Sequence, residues 1–291
     1  MSIPQNANKF TRLTDPVLQK YGVKVFVMRD DLMHPVTGGN KFRKLKYNLK
    51  KAKAENKTTL VTFGGAWSNH IAATAYAGKE YGFRTIGIIR GEKTDPLNLT
   101  LERASEGGME LLFVDRTTYR DKELALKSAL KNRNTKDFYF IPEGGSNYEG
   151  FKGCCEITKE IDFDFNYICC PCGTGTTLAG IASSLKENQK ALGFSVMKNN
   201  FSIEEQVKQF SLLQSSYTLF YEYHFGGYAK STPELEEFVE RFTETNKIEI
   251  EPIYTGKMFF GIYDLILKGF VKKGEIVVAV HTGGLQYLRI G

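Results

Sequence analysis

Nine short runs of β-branched, aromatic and aliphatic residues recur along the chain, and helical periodicities fill the gaps between them. The runs are VKVFVM (23–28), TLVTF (59–63), RTIGII (84–89), MELLFV (109–114), DFYFI (137–141), NYICC (166–170), ALGFSV (191–196), YTLFY (217–221) and EIVVAV (275–280). The helical patterns cover 41–56, 68–82, 121–133, 175–188, 202–215 and 232–246. A strand that returns through a helix pairs in parallel with its predecessor, so the pattern predicts βαβ units. Nine strands of this kind suit two doubly wound α/β sheets better than one closed barrel.

Apolar residues make up 42% of the 291 positions and charged residues 25%, which excludes an intrinsically disordered or low-complexity chain. Apolar runs long enough to cross a membrane are lacking, and MSIPQNANKF has no signal-peptide core, so the expected setting is cytoplasmic, without membrane contact. Thirty-nine basic residues against 33 acidic ones leave a formal charge of +6. The densest basic stretch, 41–57, is broken by Leu45, Tyr47, Leu49 and Ala52 at helical spacing. That reads as a solvated helix face rather than a nucleic-acid surface, and a modest positive charge also suits a small anionic ligand. Among the five cysteines, YICCPC reads as a buried strand entering a loop, with reduced structural thiols and no metal.

Four glycine-rich or helix-opening segments follow strands, where open α/β sheets bind ligands. GTGTTLAG (173–180) follows YICC and opens a helix. Its backbone N–H groups and threonine hydroxyls suit a phosphate, although a plain tight turn accounts for the glycines too. No Gly-Lys-Ser/Thr follows, and the dinucleotide fingerprint is incomplete. GGNKFRKLKY (38–47) puts Lys41 at a helix start, a poor place for a cation unless the amine is uncharged or covalently bound. The two glycines before it are expected to clear space for something bulky. In GGAWSNH (64–70), Ser68 is either a helix cap or, with Asn69 and His70, part of a set of N–H donors for a carboxylate. HTGG (281–284) closes the set after EIVVAV.

Together with RDDL (29–32), PEGG (142–145) and EPIYTGKMFFG (251–261), these motifs resemble, in order, those of pyridoxal-phosphate enzymes of the tryptophan-synthase-β type. More narrowly, the chain resembles the D-cysteine desulfhydrase and 1-aminocyclopropane-1-carboxylate deaminase family, from about Val23 onwards. The resemblance implies pyridoxal 5'-phosphate as cofactor, joined to Lys41 as a Schiff base. It also implies Asn69 on the ring hydroxyl, and Gly173, Thr174, Gly175, Thr176 and Thr177 on the phosphate. The substrate carboxylate would meet Ser68, Asn69 and His70, and the active-site tyrosines would be Tyr228 and Tyr254. Thr255 would face the pyridine nitrogen, where the family's deaminases carry glutamate, and Thr282 would stand where deaminases tend to carry leucine and desulfhydrases threonine.

The expected architecture is therefore two doubly wound domains. A larger one, from 1–45 and 144–291, binds the cofactor, and a smaller α/β domain, 46–143, is inserted into it. The expected reaction is α,β-elimination from a small amino-acid substrate, foremost D-cysteine, with Lys41 as base for the α-proton. Deamination of 1-aminocyclopropane-1-carboxylate is an alternative, as is a cofactor-carrying binding or regulatory protein without turnover. The resemblance also suggests a homodimer. The chain is shorter than is usual for the family, mainly before the first strand and between Val196 and Tyr217, and FGGYAKSTPEL departs from the family's common wording.

Overall fold

The computed structural model describes residues 9–34, 38–131, 133–210 and 216–285. Its strands are β1 (Phe10–Arg12), β2 (Lys24–Met28), β3 (Thr59–Gly65), β4 (Arg84–Arg90), β5 (Met109–Val114), β6 (Phe138–Ile141), β7 (Tyr167–Cys172), β8 (Lys190–Ser195), β9 (Tyr217–Phe220) and β10 (Ile276–Val280). Every expected run becomes a strand, and the short β1 is added. The chain divides into two compact units, Met1–Asn40 with Phe151–Gly291, and Lys41–Gly150.

The first unit holds a six-stranded sheet in the order β1-β2-β10-β7-β8-β9. Only β1 runs antiparallel, pairing Phe10 with Met28; β2, β10, β7, β8 and β9 are parallel. Side-chain alternation builds a core on each face. Val277 and Ala279 join Val25, Val27 and Phe194 on one side, under Met258, Phe259 and Ile262. Val278 and Val280 join Ile168 and Ala191 on the other, under Leu178, Ile181 and Val207. The same alternation sends Cys169 to the first core and Cys170 and Cys172 to the second, so these thiols act as small hydrophobes. All five cysteines are free.

The second unit holds a wholly parallel sheet in the order β5-β4-β3-β6. Residues Thr59–Gly64 of β3 are buried throughout, as in a central strand covered on both faces. Helix Asn40–Ala54 carries Leu45, Leu49 and Ala52 into a core with Leu60, Ala73, Ala77 and Ile141.

Three local expectations need correction. The basic helix is not a solvated face throughout, because Arg43 and Lys44 are 1% and 3% exposed. The Lys44 ammonium donates to Gly144 O at 3.3 Å, which is one reason its charge tolerates burial. The helix expected over 121–133 spans Lys122–Ala129, the one over 202–215 spans Ser202–Phe210 with 211–215 outside the described residues, and the one over 175–188 is shorter, Thr176–Ala182. Just beyond its end, the Ser184 hydroxyl bonds back to Gly180 O and Ile181 O, competing with further helical turns. Finally, helix Thr255–Leu267 is additional. Ten of its residues are buried, so it lacks the one-sided pattern by which an amphipathic helix is recognised. Among the described residues no helix is long and apolar enough to cross a membrane.

Candidate active site

Because β2, β10, β7, β8 and β9 run parallel, their carboxyl ends share one edge of the first unit's sheet. That edge gathers HTGG, GTGTT and the segment before Asn40. Gly175 takes φ +85° and opens helix Thr176–Ala182, a conformation that glycine adopts at little cost. The Thr174 and Thr176 hydroxyls lie 3.1 Å apart. Asn200 Nδ2 holds Gly173 O at 3.2 Å, and Ser202 Oγ donates to Asn200 Oδ1. A Cβ built on Gly173 would meet only Tyr254, 3.6 Å from Cε1 and 3.9 Å from the hydroxyl. On that side the loop faces the Tyr254 ring.

Asn40, the residue before Lys41, is tied to this loop. Its side-chain amide donates to Thr177 Oγ1 at 2.9 Å, with both residues buried. Thr177 is thereby engaged within the chain by Asn40. Gly38 and Gly39 do not open space for a ligand, contrary to expectation. A Cβ on Gly39 would strike Thr282 O, and one on Gly38 would strike Asp31 O and His34 O. The double glycine admits the chain's own backbone. His281 Nδ1 accepts from Gly283 N–H at 3.3 Å, which leaves Nε2 to donate to Glu249 O at 2.7 Å.

Tyr228 and Tyr254 meet edge to face, with ring centroids 5.9 Å apart and planes at 71°. Thr255 is fully buried, and its hydroxyl donates to Glu251 Oε1 and accepts from Glu251 N–H, each at 3.1 Å. Its hydrogen-bonding capacity is largely spent inside its own motif. Glu251 and Lys257, absent from the expected site, are both fully buried here. Their signal was a pair of charged residues in a motif otherwise apolar enough for a core helix.

In the second unit the carboxyl edge of the parallel sheet gathers Ser68–His70 and PEGG. Ser68 caps helix Asn69–Tyr81 through Ile71 N–H, at 3.4 Å. Its own N–H donates to Gly65 O, so this donor of the expected carboxylate set is already paired. The Thr62 hydroxyl donates to Ile141 O and therefore accepts from His70 Nε2–H at 2.8 Å. His70 Nδ1 is then a buried lone pair with no partner among the described residues. Burial, reinforced by Lys41 and Lys44, holds the His70 pKa well below 6.5 and keeps the ring neutral. Gly145 lies beside both, its built Cβ 3.1 Å from Lys44 Cβ and 3.5 Å from His70 Cε1. Lys41 itself occupies the first turn of helix Asn40–Ala54, half-buried.

The family model described as pyridoxal-phosphate dependent enzyme matches residues 7–283. A Thermotoga maritima protein, provisionally named a 1-aminocyclopropane-1-carboxylate deaminase, is 32% identical over 92% of this chain and 90% of its own. An Arabidopsis thaliana mitochondrial protein is named as a bifunctional D-cysteine desulfhydrase/1-aminocyclopropane-1-carboxylate deaminase. It is 30% identical over 91% of this chain and 73% of its own. The solved structure of a homologue of 1-aminocyclopropane-1-carboxylate deaminase superposes with a TM-score of 0.83 at 28% identity, covering 98% of this chain and 91% of that one.

Proposed function

The chain belongs to the pyridoxal-phosphate-dependent enzyme family, and from that premise we propose that it eliminates sulfide from D-cysteine, giving pyruvate and ammonia. It is an enzyme of the deaminase and desulfhydrase type; the choice of substrate is our reading. The observation that carries this choice is the pair of residues at 255 and 282. Hydroxyls, not a carboxylate and a leucine, stand at 255 and 282. Glu251 lies behind Thr255, but its oxygens accept from Ile253, Tyr254 and Thr255 N–H and from the Thr255 hydroxyl. Its charge is thus turned into its own motif.

The residues fit the cofactor. The Thr174 and Thr176 hydroxyls, on a loop whose Gly175 opens helix Thr176–Ala182, match a phosphate by hydrogen-bond chemistry. Lys41 would hold the cofactor covalently, Asn69 its ring hydroxyl, and Gly173, Thr174, Gly175 and Thr176 its phosphate, with Thr177 supporting them through Asn40. Bound pyridoxal phosphate supplies an electron sink for the bonds at the substrate Cα. Lys41 Nζ takes the α-proton, being the amine that substrate displaces. Asn69 and His70 at the helix N-terminus orient the substrate carboxylate, and Tyr228 and Tyr254 orient its β-substituent. A neutral hydroxyl at 255 leaves the sink milder than a carboxylate would. A thiolate leaves the β-carbon readily, whereas a cyclopropane offers no comparable leaving group.

Replacing Thr282 by leucine tests the reading. We expect sulfide release from D-cysteine to fall about tenfold relative to ammonia release from 1-aminocyclopropane-1-carboxylate, the scale of one lost polar contact. An unchanged ratio would remove Thr282 from the argument. The D-cysteine desulfhydrase half of the Arabidopsis relative's name agrees with this choice, and its other half names the competitor.

A further inference from the structure

The motif EPIYTGK contains two charged side chains with no exposed surface, Glu251 and Lys257. Glu251 surrounds the backbone of Tyr254. Its Oε2 accepts from Ile253 N–H at 2.7 Å and its Oε1 from Thr255 N–H at 2.7 Å, while Tyr254 N–H lies 2.9 and 3.1 Å from the two oxygens. The N–H groups before, at and after Tyr254 thus point at one carboxylate. Lys257 does the complementary work on carbonyls. Its Nζ donates to Gly227 O at 2.7 Å, His224 O at 2.8 Å and Val196 O at 3.4 Å, using all three protons of an ammonium.

The segment that Lys257 grips is unusual. Phe225, Gly226, Gly227 and Ala229 have φ of +48°, +89°, +119° and +54°. Two of them are not glycine, and a left-handed backbone at such residues persists only when its surroundings hold it. Tyr228 lies in the middle of this run. The charges are costly to bury: burial lifts the Glu251 pKa to about 7 and lowers that of Lys257 to about 8, the field of Glu251 partly opposing the latter. Tying down one turn and one loop does not by itself require two buried ions. Fixing two aromatic rings against each other, 5.9 Å apart at 71°, sets a stricter demand.

We propose that Glu251 and Lys257 are positioning residues that set Tyr254 and Tyr228 as a rigid pair, Glu251 through the Tyr254 N–H and Lys257 through the carbonyls of His224 and Gly227. This rests on the reading that the two tyrosines face the substrate. The test uses the cofactor-loaded chain labelled with 3-fluorotyrosine, its resonances assigned with Tyr228→Phe and Tyr254→Phe, and D-alanine as a probe that binds without elimination. Lys257→Met is expected to shift and broaden the Tyr228 resonance, keep cofactor loading, and raise the D-alanine Kd about tenfold or more. Glu251→Gln is expected to do the same through Tyr254. Unmoved resonances with D-alanine Kd within about twofold of the parent would overturn the proposal, as would failure of both variants to fold and load, which would make the pair structural alone. If Tyr228→Phe and Tyr254→Phe leave D-alanine binding untouched, the substrate-facing reading fails, while the fluorine resonances still judge the clamp.

Discussion

Lys41 follows a residue whose side chain is locked to Thr177, so its position is determined by backbone packing as much as by its own chemistry. Lys41→Ala is expected to abolish both the absorbance of the protein-bound cofactor and all turnover. Retained absorbance would move the attachment to another lysine. Thr255 is more instructive. A glutamate there, as in deaminases, would put a second carboxylate against the buried Glu251, which lies 3.1 Å from the Thr255 hydroxyl. Like charges without solvent are strongly unfavourable. We expect Thr255→Glu to lower the thermal midpoint rather than confer cyclopropane deamination; a stable variant with gained ammonia release would contradict this. Such residue-level facts were only partly legible in the sequence. The glycines at 38 and 39 read as space for something bulky, and their approach to the chain's own backbone was hidden because Thr282 lies far along the chain. Likewise, nothing in the sequence around Asn40 points to its bond with Thr177.

Elements were legible where they had a period. Strands buried on both faces read as apolar runs, and Ser68 could be read as a cap from its place before a helical pattern. Helix Thr255–Leu267 was hidden by its own burial, and the segment that leads into it carries Glu251, whose titration can be followed at this scale. Folding raises the Glu251 pKa from 4.5 to about 7. Between those values the folded chain holds a proton that the unfolded chain has released, so this group's stabilising contribution fades as pH rises through the window. Glu251→Gln has no such proton. The stability of the parent relative to this variant should therefore decline from pH 4.5 to 7, by up to about 3 kcal/mol. Chemical denaturation of both proteins across that range measures it, and a constant gap would show that Glu251 does not titrate there.

For the whole molecule, the alternation of strands and helices was enough to give two mainly parallel sheets, because crossover connections leave few other arrangements. Strand order was not legible: nothing local says that β10, the last strand, lies between β2 and β7. That placement is what delivers HTGG to the same sheet edge as GTGTT, and it comes from long-range packing of Val277–Val280 with both neighbours. Motif order along the chain stood in for this missing information, since a family resemblance carries topology that periodicity cannot. Chemistry follows from the sites rather than from the fold, so the account turns on substrate choice. The most direct measurement is product release by the purified, cofactor-loaded protein with D-cysteine, L-cysteine, β-chloro-D-alanine, D-serine and 1-aminocyclopropane-1-carboxylate compared side by side. The account predicts pyruvate with equimolar sulfide from D-cysteine, well above any ammonia released from the cyclopropane substrate. Equal or faster release from 1-aminocyclopropane-1-carboxylate would contradict it.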